Sequence, residues 1–232
     1  MVIHLEDNFF DVPDFRNRTA VFRNREHAGE ILSEMLMQYK NTEAIVFAIP
    51  AGGVPVGAVV ASKLQIPLDI AVVSKITLPW NTEAGYGAVA FDGTVRLNED
   101  MASRLGLNEK VVREGIEQTR SKVNKRVAEF RGGKPHIQAA GRPAILVDDG
   151  IASGFTMLVA VEALRKAGAN RIIVAVPTAN LDAVEFILPN VEEVYCANLR
   201  SEWAFAVAEA YQHWSDVSEG EVKELLGSFR NL

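Results

Sequence analysis

Short apolar runs alternate with amphipathic stretches along most of the chain. Ala44–Ile49, Leu68–Val73, Ala144–Val147, Arg171–Val176 and Val191–Ala197 have the length and aliphatic, β-branched composition of buried parallel strands. Residues 25–40 place Ala28, Ile31, Leu32, Met35 and Leu36 on one face of a helix. Val56–Leu64, Asn108–Arg131, Met157–Ala167 and Ala179–Leu188 read as further helices, with Gly132 and Gly168 standing where two of them stop. Trp203–Tyr211 and Glu219–Leu226 read as helical near the C-terminus, and residues 1–24 as an irregular arm. Residues 76–98 break the alternation. They are rich in Pro, Gly, Asn and polar residues and read as a long excursion with a hairpin about Asp92-Gly93. A loop of that length in a compact domain is usually functional or mobile. The alternation predicts an α/β fold: a doubly wound, mostly parallel sheet with a long excursion loop and helical N- and C-terminal additions.

At 232 residues, one domain spanning 1–232 is expected. Its core would be 25–200, its mobile loop or hairpin 76–98, and its C-terminal helical segment 201–232. The net charge of −6 argues against a nucleic-acid partner, because the basic footprint is missing. Cys196 is alone, which excludes an intrachain disulfide and a cysteine-rich metal site. With no basic-then-apolar leader and no apolar run of membrane-spanning length, no membrane partner and a cytoplasmic location are expected.

Residues 144–157, Ala-Ile-Leu-Val-Asp-Asp-Gly-Ile-Ala-Ser-Gly-Phe-Thr-Met, carry the most chemistry. A buried strand ends in two carboxylates, Asp148 and Asp149. A loop with Gly150, Ser153, Gly154 and Thr156 follows, and then a helix begins. That order puts the loop at the carboxyl edge of an open sheet, where α/β folds bind ligands. Backbone N–H groups of the loop and the helix start suit a phosphate. The carboxylates suit hydroxyls or a hydrated cation. A sugar phosphate satisfies both. Two other readings exist. A phosphoacceptor receiver domain also ends a strand in paired acids, but near its N-terminus. A purely structural role, with Asp149 capping the helix, leaves Asp148, Gly150 and Gly154 unexplained.

The stretch resembles the signature of the type I phosphoribosyltransferases: four apolar residues, two acids, two variable residues, a small residue, Thr or Ser, Gly, a variable residue, and Ser or Thr. The resemblance implies that Asp148 and Asp149 meet the ribose hydroxyls of phosphoribosyl pyrophosphate. It implies that Gly150, Ile151, Ala152, Ser153, Gly154, Phe155 and Thr156 wrap the 5′-phosphate, Ser153 and Thr156 through their hydroxyls. The loop Ile49-Pro-Ala-Gly-Gly-Val-Pro also leaves a buried strand and precedes a helix. Alone it is a common turn; beside the acidic motif it resembles the pyrophosphate loop, which assigns Ala51, Gly52 and Gly53 to pyrophosphate. Lys75, Glu83, Gly87-Ala88-Val89 and Asp149-Gly150 follow in order and are similar to a branch of phosphoribosyltransferases of unassigned substrate. Lys75 is expected at the end of the second strand of the sheet, at the same edge as the two loops; by that resemblance it contacts pyrophosphate, its alternative being a surface salt bridge. Glu83 orients the nucleophile or the loop, or else pairs with a nearby cation. The chain departs from the branch at Ala51 and Ser74, where common members carry Arg. It departs from hypoxanthine-type enzymes at Ala152, where they carry an Asp base.

The activity implied is transfer of a phosphoribosyl group to a nitrogenous base or related small-molecule acceptor, releasing pyrophosphate, with Asp148, Asp149, Lys75 and Glu83 as candidate catalytic residues. Mg2+ would bridge pyrophosphate and ribose, touching Asp148 and Asp149 directly or through water. Residues 76–98 would close over the site and exclude water. Related folds often dimerise, so a homodimer is among the expected states. The rival reading is a non-catalytic binder of phosphoribosyl pyrophosphate or a nucleotide; a third is a hydrolase or phosphorylase of a ribosyl phosphate.

Overall fold

The computed structural model describes residues 7–133 and 136–229, without the side chains of Thr82 and Glu83. Six parallel strands form the main sheet: β1 (Phe9–Asp11), β2 (Ile45–Ala48), β3 (Leu68–Ile70), β7 (Pro143–Val147), β8 (Arg171–Asn180) and β9 (Glu193–Arg200), in the order β1-β9-β8-β7-β2-β3. Three antiparallel strands, β4 (Val73–Leu78), β5 (Asn81–Ala90) and β6 (Val95–Leu97), form a second sheet. Helices α1 (Arg25–Met35) and α2 (Gly53–Leu64) cover one face of the main sheet; α5 (Phe155–Lys166) and α6 (Leu181–Ile187) cover the other. Helices α3 (Glu99–Arg104), α4 (Glu109–Arg131) and α7 (Glu219–Phe229) pack with the second sheet. The expected doubly wound α/β architecture is present. None of the described helices is long and apolar enough to cross a membrane.

Alternation along the strands divides the core. Ala144 and Leu146 of β7 face α5 and α6, whereas Ile145 and Val147 face α1 and α2. Of these, the fully buried Ile145, Leu146 and Val147 side chains each contribute about 1.5–3 kcal/mol over leaving them in water. Asn24 caps α1 by accepting the His27 N–H at 3.0 Å, and Asn108 caps α4 by accepting that of Val111 at 3.0 Å.

Several boundaries differ from expectation. The run Leu68–Val73 is not one strand: β3 ends at Ile70, and β4 begins at Val73 in the other sheet. Ile70 through Val73 are all buried, so hydropathy cannot mark the change of sheet. Residues 76–98 are largely ordered strand, with the expected reversal at Asp92-Gly93 (φ of Gly93 +88°). Strand β8 runs through Pro177 to Asn180, held by β9 on one side and by Ile151 on the other. Residues 203–211 form only a short 3-10 turn at Val207–Ala210. Their backbone bonds go instead to the N-terminal arm: Phe22 N–H donates to Ala210 O, and Gln212 N–H to Phe22 O. Within that arm the three residues of β1 are too few to show a period.

Candidate active site

The acidic strand end and its loop are fixed from below. The Ile151 N–H donates to Thr178 O and the Asn180 N–H to Ile151 O, both at 3.0 Å, which pins the loop to the extension of β8. Gly154 then takes a left-handed φ of +76° and caps α5. A side chain there would be strained. The first-turn N–H groups of α5 have no intrahelical acceptor. Among the described residues, the hydroxyls of Ser153 and Thr156 have no hydrogen-bond partner either. Both line a cavity of about 300 Å³, together with Asp148, Gly150, Lys75 and Pro50. Ile151, Ala152 and Gly154 line it too, so one hollow gathers most of the residues assigned to the 5′-phosphate. Phe155 lines an adjoining cavity instead.

The two carboxylates have different surroundings. Asp148 borders the cavity, and its Oδ1 accepts the Asp149 N–H at 2.8 Å. Burial, and then the neighbouring Asp149 charge, push its carboxyl well above the usual range. Asp149 is turned away. Its Oδ2 accepts from Arg25 Nε at 2.9 Å, with the two side chains 15% and 9% exposed. Burial raises its pKa, and the Arg25 charge opposes the rise. Arg25 is itself a hub: Nη1 donates to Ser215 O at 2.7 Å, and the guanidinium lies 3.9 Å from the Trp214 ring centroid. Tyr211 Oη donates to Asp149 O at 2.6 Å. The C-terminal segment is thereby tied to the acidic motif. Sequence reasoning missed Arg25. The available signal was a charged residue on the buried stripe of α1, three and seven positions before Ala28 and Leu32.

In the second loop, Ile49 and Pro50 line the cavity while Ala51, Gly52 and Gly53 do not. The Pro50–Ala51 peptide is cis. A Cβ on Gly52 would sit 1.9 Å from Asp149 Oδ2; one on Gly53 would sit 2.7 Å from Val147 O and 2.8 Å from Asp148 Cα. The Gly53 N–H is already bonded to Ile49 O at 3.0 Å. These glycines therefore let the loop press against the acidic pair. Lys75 lies inside β4, opposite Ala88, rather than at a strand end of the main sheet as expected. It is exposed and borders the cavity, with no acidic partner among the described residues. The side chain of Glu83, on β5, lies outside the described residues. Ser74 is buried, and its hydroxyl has no partner among the described residues.

Residues 92–212 match the phosphoribosyl transferase domain family. That range holds the acidic motif and Tyr211; the Pro50 loop and Lys75 precede it. Two Mycobacterium tuberculosis proteins, from strains CDC 1551 and H37Rv, carry provisional phosphoribosyl transferase names. Each is 34% identical over 206 residues, covering 89% of this chain and 46% of its own length. The chain thus spans about half the length of these curated relatives. The crystal structure of TT1426 from Thermus thermophilus matches with a TM-score of 0.75 at 31% identity, over 90% of this chain and 98% of that one.

Proposed function

The chain belongs to the phosphoribosyl transferase family, and we propose that it transfers the phosphoribosyl group of phosphoribosyl pyrophosphate to a nitrogen acceptor, releasing pyrophosphate. The observation that carries this reading is the 300 Å³ cavity, where hydroxyls unpartnered among the described residues, a half-buried carboxylate and a lysine converge. Ser153, Thr156 and the first turn of α5 would hold the 5′-phosphate. Asp148 would accept from the ribose hydroxyls, and Asp149, braced by Arg25, would fix where Asp148 stands. Lys75 would meet the pyrophosphate as a point charge. Glu83 keeps its proposed orienting role, and β4 to β6 would shield the anomeric carbon from water.

Mg2+ fits this donor set. Among the described residues no three acidic, His or Cys side chains cluster as a metal cage. Asp148 is a half-buried carboxylate held high by desolvation and then by the neighbouring Asp149 charge, which a hydrated cation would relieve. Mg2+ characteristically takes one or two carboxylates and completes its shell with water and substrate phosphate. Bound there, it would neutralise charge on the departing pyrophosphate. The residues themselves position the donor and stabilise its charge.

A non-catalytic binder is the second reading, favoured by one observation: no arginine lines the cavity among the described residues. Incubating the protein with Mg2+, phosphoribosyl pyrophosphate and a panel of purine and pyrimidine bases, and measuring pyrophosphate release, separates the two. Release that requires a base is the expected result. Saturable binding without release overturns the transferase reading in favour of the binder. Release with water alone identifies a hydrolase.

A further inference from the structure

The open space does not end at the 300 Å³ cavity. A larger one, of about 450 Å³, adjoins it between the first turn of α5, the antiparallel sheet and α6. Lys75, Ser153 and Thr156 line both. The remaining walls of the larger cavity are of another kind. Phe155, Phe186 and Met101 are apolar, and Phe186 is left 41% exposed. Asn98 caps α3 through its side-chain oxygen, accepting the Met101 N–H at 2.9 Å, which leaves its amide group free to donate. Strand β5 contributes Gly85 and Gly87, so that side of the cavity carries no side chain.

We infer that the larger cavity binds an aromatic or heteroaromatic group joined to the ribose 5-phosphate through a second phosphate. This rests on the reading that Ser153 and Thr156 hold the 5′-phosphate. A phosphate at those hydroxyls stands at the junction of the two cavities. Its ribose extends toward Asp148, and its other side opens into the larger space. In a complex that holds no pyrophosphate, a second phosphate there falls beside Lys75, the cation assigned above to pyrophosphate and without an acidic partner among the described residues. Beyond it, Phe155, Phe186 and Met101 supply two ring surfaces and a polarizable sulfur for a flat group. Asn98 offers a donor to a ring nitrogen or carbonyl.

Calorimetry on the full chain with ribose 5-phosphate and with adenosine diphosphate ribose tests this. The second probe adds one phosphate and adenosine to the first. Stacking and one added charge contact should tighten binding about tenfold or more. Phe186→Ala and Met101→Ala should each erode that advantage and leave ribose 5-phosphate affinity unchanged. Equal affinity for the two probes, or an advantage that survives both variants, overturns the inference. Ribose 5-phosphate binding would then leave the phosphoribosyl reading standing. Failure of both probes to bind overturns the two together.

Discussion

The loops after β2 and β7 share a plan: each leaves a buried parallel strand, carries two glycines and leads into a helix. Their groups are used in opposite ways. In the loop after β7, Gly154 turns the chain at φ +76°, and the hydroxyls of Ser153 and Thr156 face open space. In the loop after β2, Gly52 and Gly53 are flattened against Asp149 and Asp148, and the Gly53 N–H is bonded within its own turn. One loop presents hydroxyls to open space; the other packs against the acidic pair, and the pyrophosphate contact expected of Ala51, Gly52 and Gly53 stays a proposal. A glycine-rich turn at a sheet edge therefore does not by itself indicate ligand contact. Hydroxyls bordering a cavity make the loop after β7 the stronger candidate.

The contrast is most sensitive at Arg25, which holds the buttressed carboxylate. Arg25→Met leaves Asp149 charged and nearly buried without its cation, and should lower stability by about 3–5 kcal/mol. Burial already raises Asp149, and losing Arg25 removes the opposing influence. Protonation would then relieve the variant, so urea unfolding should show a smaller deficit at pH 5 than at pH 8. A deficit below about 1 kcal/mol at both would mark the pair as an ordinary surface contact. Gly52→Ala comes next. The φ of Gly52 is −60°, so the backbone accepts a side chain and the effect is steric. Pushing Asp149 aside should cost about 1–3 kcal/mol of stability. Base-dependent pyrophosphate release should fall with it. Unaltered unfolding would show that the loop can back away from the acid.

How much of this was legible in the sequence follows from where information is local. The acidic motif is contiguous, so strand, loop and helix order place it without a structure; Asp148, Ser153 and Thr156 stand together as that order implies. The doubly wound sheet follows from runs such as Ala144–Val147, whose burial on both faces leaves no alternation to misread. What was missed depends on distant pairing. Arg25 meets Asp149 across 124 positions, and Tyr211 meets it across 62. The helix expected at 203–211 fails because its backbone groups find partners near Phe22, which no local propensity records. Lys75 was placed on the main sheet because the chain changes sheets within a uniformly apolar stretch.

Asp148 supplies a third difference, of opposite sign to the first two. Its carboxyl is held above the usual range by burial and by Asp149, so folding disfavours its charged form. Stability from this group is complete below the ordinary carboxylate value and declines as pH rises through the raised one. Asp148→Asn should match wild type in acid and exceed it at pH 8, by less than the loss in Gly52→Ala. It should also abolish pyrophosphate release. A thermal scan showing no gain at pH 8 would place Asp148 in better-solvated surroundings.

The smallest effects belong to the hydroxyls. Ser153→Ala and Thr156→Val remove groups with no partner among the described residues, so neither should shift the unfolding midpoint. Each should weaken ribose 5-phosphate by about 1.5 kcal/mol, roughly tenfold, the low end for one hydrogen bond to a charged group. Thr156 keeps its branched shape as Val, so its loss isolates the hydroxyl from packing. Calorimetry at constant salt separates this from screening, because the chain charge is unchanged in both variants. A stability loss without an affinity loss would reverse the roles assigned to the two loops, since the loop after β7 would then be the buttress and its hydroxyls mere surface.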